Sequence, residues 1–435
     1  MRTLTELGQL AGHTAKLWVQ CFWVIATWFT LGAALHSGLI MASAAVGPRP
    51  IPATALFIVA VLVKVASMVL MIHAIAPRLT TARAVEGGRL RLGRRVPEQM
   101  FRSERPAEVL TVALAPFLVV YTGWGLVEQE VTALFTRNMI RYGFLDAESR
   151  TSWSIQLDWW QFYLVVAMIA WLLQHVIDLV VERWPPRPRR LGLLIMVVAE
   201  AVWTFCSFLA LITLAPRLWE WLFSRRLWVA GTQAWYGIID ALAWIRLPFG
   251  LDLPEVLTAA GHWVVVDLLP TLGDAILLPL MWLALTAVVF GWRRFSGRAL
   301  LHGVRRPEAG GRGLRPVLAA ARIGSAELRD KYVPVLTALQ MVLRAGPRFL
   351  GVYLVLSTAL TALTAWTWIG LDHLIGPGDE RLLIIAEPIT SYGVGLGSTT
   401  LAVCLYAAAL DQVLGAAAHP VPDTAITEDP ATTGS

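Results

Sequence analysis

Charge is scarce in this chain, and lysine is almost missing. Charged residues are 15% of its 435, against roughly 25% in soluble domains, and among 36 basic residues only Lys16, Lys64 and Lys331 are lysines. Cysteine is rare too. Cys21, Cys206 and Cys404 all fall inside apolar stretches, where the thiol acts as a small hydrophobe, so no disulfide framework is expected. Several chemistries have no footing here: there is no histidine–cysteine pattern with metal-ligand spacing and no phosphate-binding loop. The run Gly393-Val394-Gly395-Leu396-Gly397 resembles a dinucleotide fingerprint only in its glycines, because no strand precedes it.

What the chain has is apolar surface. Hydrophobic residues make up 57% of it, and the mean hydropathy is +0.61, more than a soluble fold of this size can hide. A span needs about 20 apolar residues to cross roughly 30 Å of hydrocarbon. Eight segments qualify: 17–46, 54–76, 107–127, 159–181, 191–215, 275–292, 349–371 and 391–414. The expected fold is therefore an all-α, polytopic membrane bundle of eight spans. Its parts are an N-terminus at 1–16, a first membrane half at 17–215 with a basic loop at 77–106, and an extracytoplasmic amphipathic segment at 216–274. A second half at 275–414, with a basic hairpin at 293–348, leads to a disordered tail at 415–435. The polar start runs into a retained span without a nearby cleavage site, so no signal peptide is read.

Orientation follows from arginine. Alternate loops collect 26 Arg and Lys on one face against nine on the other, an asymmetry that places the rich face and both termini in the cytoplasm of a bacterial inner (plasma) membrane. The formal charge of +6 is thereby explained by topology, and nucleic acid is not expected as a partner. Such loops would also attract anionic phospholipids. Tryptophans near the span ends read as interfacial anchors.

Between the fifth and sixth spans, Trp221, Trp228 and Trp235 recur every seven residues, opposite a stripe of Arg226, Gln233 and Asp240. That pattern predicts one or two amphipathic helices with the tryptophan face turned to lipid or to the bundle. Beyond them Pro248, Pro254 and Pro270 are expected to break the chain into short pieces. An internal duplication is a further expectation, since Pro116 and Pro347 each precede a similar apolar run.

Polar groups inside the spans are few. Lys64 lies near the middle of the second span, and Glu200, at a comparable depth in the fifth, is its natural partner, because an unpaired charge there costs at least about 2.5 kcal/mol. The fourth span carries Gln174, His175 and Asp178 on adjacent turns, with His73 of the second span at similar depth. Two histidines alone do not make a haem site, and no cofactor is expected. Gly393 and Gly397, four apart, suit close helix packing. The function these residues favour is a non-catalytic scaffold or anchoring subunit with protein partners in the membrane. The alternatives are a transporter or channel coupled through Lys64, Glu200, His175 and Asp178, and a lipid-modifying membrane enzyme around Glu128, Glu130 and Asp146.

Overall fold

A computed structural model describes residues 2–46, 50–81, 90–92, 106–143, 146, 160–183, 189–241, 253–290, 338–340, 342–376 and 380–420. These form α1 (Arg2–Ala45), α2 (Pro50–Ile75), β1 (Leu90–Leu92), α3 (Pro106–Gly123), α4 (Leu126–Tyr142), α5 (Trp160–Arg183), α6 (Arg189–Phe223) and α7 (Arg226–Ala241). Then follow α8 (Leu253–His262), α9 (Leu269–Leu272), α10 (Leu278–Val289), α11 (Pro347–Ile375), α12 (Glu380–Ala417) and β2 (Ala418–Pro420). Six helical stretches among the described residues are long and apolar enough to cross a membrane: Leu4–Ala45, Ile51–Arg78, Val198–Phe223, Leu253–Val289, Pro347–Ile375 and Ala386–Gly415. The segments expected as third and fourth spans are helical, as α3 and α5, the latter containing the shorter apolar stretch Trp160–Val176.

Several boundaries differ from the sequence reading. Residues 2–16 are not a separate polar end but the first turns of α1. Their buried positions Leu10 and Thr14 continue the stripe of Leu17, Cys21 and Ile25 at helical spacing, so the packing face simply starts earlier. The prolines after residue 250 do not break the chain either. Leu253–Val289 is one helical run in which π-helical turns, Trp263–Leu268 and Gly273–Leu277, sit on either side of α9. Pro270 has no N–H and its ring would strike the carbonyl four residues back. The wide turn before it changes the register, with Leu269 N–H reaching Val264 O, five residues away. Pro116 lies within α3, whereas Pro347 sits in the first turn of α11, so the two prolines are not equivalent and lend no support to a duplication. Residues 415–420, expected in the tail, extend α12 and then pair as β2 with β1, Arg91 opposite His419. The basic hairpin read at 293–348 lies largely outside the described residues, as does the tail beyond 420.

Two compact units alternate along the chain. The first comprises 1–42, 59–118 and 280–435. Its centre is α10, where Leu283, Ala284, Leu285, Thr286 and Ala287 are all fully buried, the state expected of a helix apolar on every side. Trp282 of α10 meets Phe117 of α3 edge-on at 5.7 Å and lies parallel to Tyr406 of α12 at 6.3 Å. α1 runs antiparallel to α12: Trp18 Nε1 donates to Thr400 Oγ1 at 3.0 Å, and Thr30 shares a hydrogen bond of 2.6 Å with Tyr392. Against α2 it packs more tightly still. Gly32 faces Ser67 so closely that a Cβ on the glycine would overlap the serine's Cβ and Oγ, while Ser67 Oγ donates to Trp28 O at 3.0 Å.

The second unit, 43–58 and 119–279, is built on the α5–α6 pair. α4 buries Val127, Glu130, Leu134 and Asn138 at helical spacing. Gly125 makes the turn into it with φ of +70°, a conformation glycine enters without a Cβ clash. Trp124 Nε1 donates to Asp274 Oδ1 at 2.9 Å.

Candidate functional site

Among the described residues of the first unit, a groove of about 480 Å³ lies between α11 and α12, with Trp18 of α1 also in its lining. Leu360, Thr364 and Leu371 line one wall at helical spacing, and Gly393, Gly397 and Leu401 line the other. The groove carries hydroxyls but offers almost no free polarity. Thr364, Thr367, Thr390 and Ser398 each donate to a carbonyl of their own helix, at 2.9, 2.7, 3.0 and 2.8 Å, leaving methyls and backbone toward the opening. The Trp18 indole is engaged by Thr400.

The glycines named from sequence take part, though not as contacts with other described residues. A Cβ on Gly393 or Gly397 would meet nothing within 4 Å, whereas on Gly395 it would touch Phe29 Cζ at 3.4 Å. Gly395 is thus the glycine of this run that packs internally, and its two neighbours leave backbone bare on the groove wall. The helix beside them is bare as well. Along α11 the buried residues are Val352, Tyr353 and Ser357, and Val355, Leu363, Trp366 and Ile369 stand exposed.

The polar candidates fall on helices of both units. Lys64 is half-buried on α2 in the first unit, Glu200 is half-buried on α6 in the second, and neither is without a partner; the same holds for His73. The His175 ring is held within its own helix, its Nδ1 at 3.0 Å from Trp171 O and its ring 4.2 Å from the Trp171 indole. Gln174 beside it is buried. Asp178 lies on α5, but its side chain falls outside the described residues. Of the carboxylates considered for an enzyme, Glu130 is buried and accepts the Tyr121 hydroxyl at 2.8 Å, whereas Glu128 is exposed. Trp221, Trp228 and Trp235 are all exposed, Trp221 at the end of α6 and the other two on α7, so their faces are not turned into the unit that carries them.

One constellation went unnoticed in the sequence. Asp411, near the end of α12 and only 2% exposed, accepts the backbone N–H of Thr80 at 3.1 Å and of Thr81 at 2.9 Å, together with the Thr80 hydroxyl. Its own carbonyl takes the Thr81 hydroxyl at 3.1 Å, and His13 Nε2 lies 3.7 Å from the carboxylate. Thr80 and Thr81 are helical residues that follow the extended Leu79, so a carboxylate from a distant helix caps a new helical start. A lone Asp near a chain end gives no local sign of this. The signal available was the Thr-Thr pair after Pro77, a helix start without a side-chain acceptor immediately before it.

Comparison of the chain with family models, with curated proteins and with solved structures returned no match in any of the three.

Proposed function

We propose that this chain is a non-catalytic, anchoring subunit of a membrane assembly, and that the α11–α12 groove holds a transmembrane helix of a neighbouring subunit. In this reading it crosses the membrane eight times, with α3 and α5 completing the set, and keeps both termini on the arginine-rich cytoplasmic face. At 18 residues α3 extends about 27 Å, a little short of roughly 30 Å of hydrocarbon and at the low end of the length range of spanning helices. The observation that carries the reading is the bare glycine wall. Helices associate in lipid through close backbone approach at small residues four apart, and Gly393 and Gly397 are open toward the groove and meet no other described residue. The groove's hydroxyls are internally bonded, which suits an apolar helix and gives a polar solute little to hold.

Gly397→Leu tests this directly. No atom lies within 4 Å of the added Cβ, so the variant is expected to accumulate and melt in detergent as the parent does. Its assembly, measured by light scattering after mild solubilisation, should weaken roughly tenfold, the equivalent of about 1.4 kcal/mol of lost helix contact. A parent chain that runs as a lone monomer, or a Gly397→Leu variant with an unchanged assembly, would refute the proposal.

A second reading, ion coupling through Lys64, Glu200, His175 and Asp178, draws on the half-buried lysine in mid-span. Lys64→Ala separates the two. Under the subunit reading the lysine is structural, and its loss lowers accumulation in the membrane because the group it serves is stranded. Normal accumulation combined with loss of a membrane-potential-dependent ion flux in vesicles would favour coupling instead.

A further inference from the structure

The corner between α6 and α7 has a composition and a depth that the subunit reading does not use. α6 holds a stretch, Val198–Phe223, long and apolar enough to cross a membrane, and Trp221 lies roughly 46 Å along the helix axis from Arg190 at its other end. That is close to the roughly 40–45 Å between the two headgroup layers, so with Arg190 in one layer Trp221 lies at headgroup level in the other. The chain turns there through Ser224 and Arg225 into α7. Rings line the turn: Trp219 stacks on Phe223 at 5.2 Å, and Phe223 meets Trp228 at 4.7 Å. All of them are exposed, and so are Leu227, Trp235 and Ile238 on the apolar side of α7. An aromatic corner at the end of a span, continuous with an amphipathic helix, has the membrane interface itself as its partner.

Within this corner the guanidinium of Arg225 lies over the Trp221 ring, with Cζ 3.9 Å from the centroid. Stacking occupies the face of the guanidinium and leaves its edge, with five N–H donors in one plane, for an acceptor. Arg217 and Arg226 flank it, and Glu220 is the one acid between Arg217 and Arg226, so the local charge is positive. We propose that Arg225, pre-oriented on Trp221, binds the phosphodiester of an anionic phospholipid in the leaflet opposite the Arg189–Arg190 end of α6. The surrounding rings would rest at the boundary between headgroups and acyl chains. Phosphate is the recognised chemistry, and the lipid is its source because the site lies at headgroup depth beside an apolar face.

The test uses the full chain, delipidated in detergent and titrated with phosphatidylglycerol or phosphatidylcholine, with bound lipid counted by native mass spectrometry. The parent should prefer phosphatidylglycerol. Arg225→Ala should weaken that binding roughly fivefold, the weight of one interfacial charge, and Arg225→Lys should recover only part of it, since an ammonium lacks the planar fork. Trp221→Ala should weaken it as well, and the double variant should be no worse than Arg225→Ala alone. Arg226→Ala serves as the charge control and should lose distinctly less. Equal losses at Arg225 and Arg226 would leave only diffuse charge and overturn the site, as would an Arg225→Lys variant equal to the parent or equal binding of the two lipids. Displacement by inorganic phosphate at matched concentration would identify a free-phosphate site and overturn the lipid assignment.

Discussion

Asp411→Ala is expected to destabilise the full chain by roughly 3 kcal/mol, the scale for losing charge-assisted hydrogen bonds while a buried donor is left without an acceptor. The Thr81 N–H is enclosed, with the residue 5% exposed, and no water replaces a carboxylate oxygen that holds it at 2.9 Å. The Thr80 N–H and hydroxyl lose their acceptor in the same substitution. Asp411→Asn should recover part of the loss, because it keeps one carbonyl oxygen but turns an NH2 toward the donors. His13→Ala should cost no more than about 0.5 kcal/mol, since its ring stands 3.7 Å from the carboxylate and is partly exposed. Thermal melts in detergent give the ranking. Trypsin adds a local readout, because Arg78 and Arg83 bracket the capped threonines and should be cut faster in Asp411→Ala than in the parent. A variant with the parent's melt and cleavage rate would remove the capping role.

The long apolar helices were legible because their signal is local. Twenty apolar residues in sequence have one stable arrangement in a bilayer, whatever their neighbours are. The helix α7 was legible for a related reason, since its apolar residues recur at helical spacing, but its tryptophans and its polar stripe are both exposed, so the structure does not distinguish its two sides. The failures have different physics. The prolines near 254 and 270 were read with the hydrogen-bond pattern of a regular α-helix, and the chain instead shifts to π turns around Pro270 that absorb the missing donor. The glycine pair 393 and 397 was legible as a motif, but its partner was not, since a motif on one helix does not name the surface it touches. The cap at Thr80 joins residues more than 300 positions apart, and nothing in either neighbourhood hints at the other. Long-range polar contacts between single residues leave no periodicity to find.

The same blindness hid the close contact of α1 with α2, and it supports the second large effect. Gly32→Ala should destabilise the chain by about 2 kcal/mol, typical of a methyl forced into a filled contact. Glycine here is not needed for its dihedral freedom. It is needed because α2 brings Ser67 to where a Cβ would be, and the obstructing atoms include the serine's Cβ, which no rotamer change can move aside. The helices must therefore separate, and Ser67 Oγ then draws away from Trp28 O. Exchanging the two sides provides the decisive check. Gly32→Ala combined with Ser67→Gly moves the methyl to the other helix and leaves the Ser67 Cα, at 3.8 Å, in ordinary contact with the new Cβ. The double variant should recover about half of the loss, the rest being the Ser67 hydrogen bond, worth about 1 kcal/mol. Strong non-additivity in the cycle identifies direct steric opposition. Additive losses would instead mean that α1 and α2 do not meet at these residues, and the packing of α1 against the first unit would have to be redrawn.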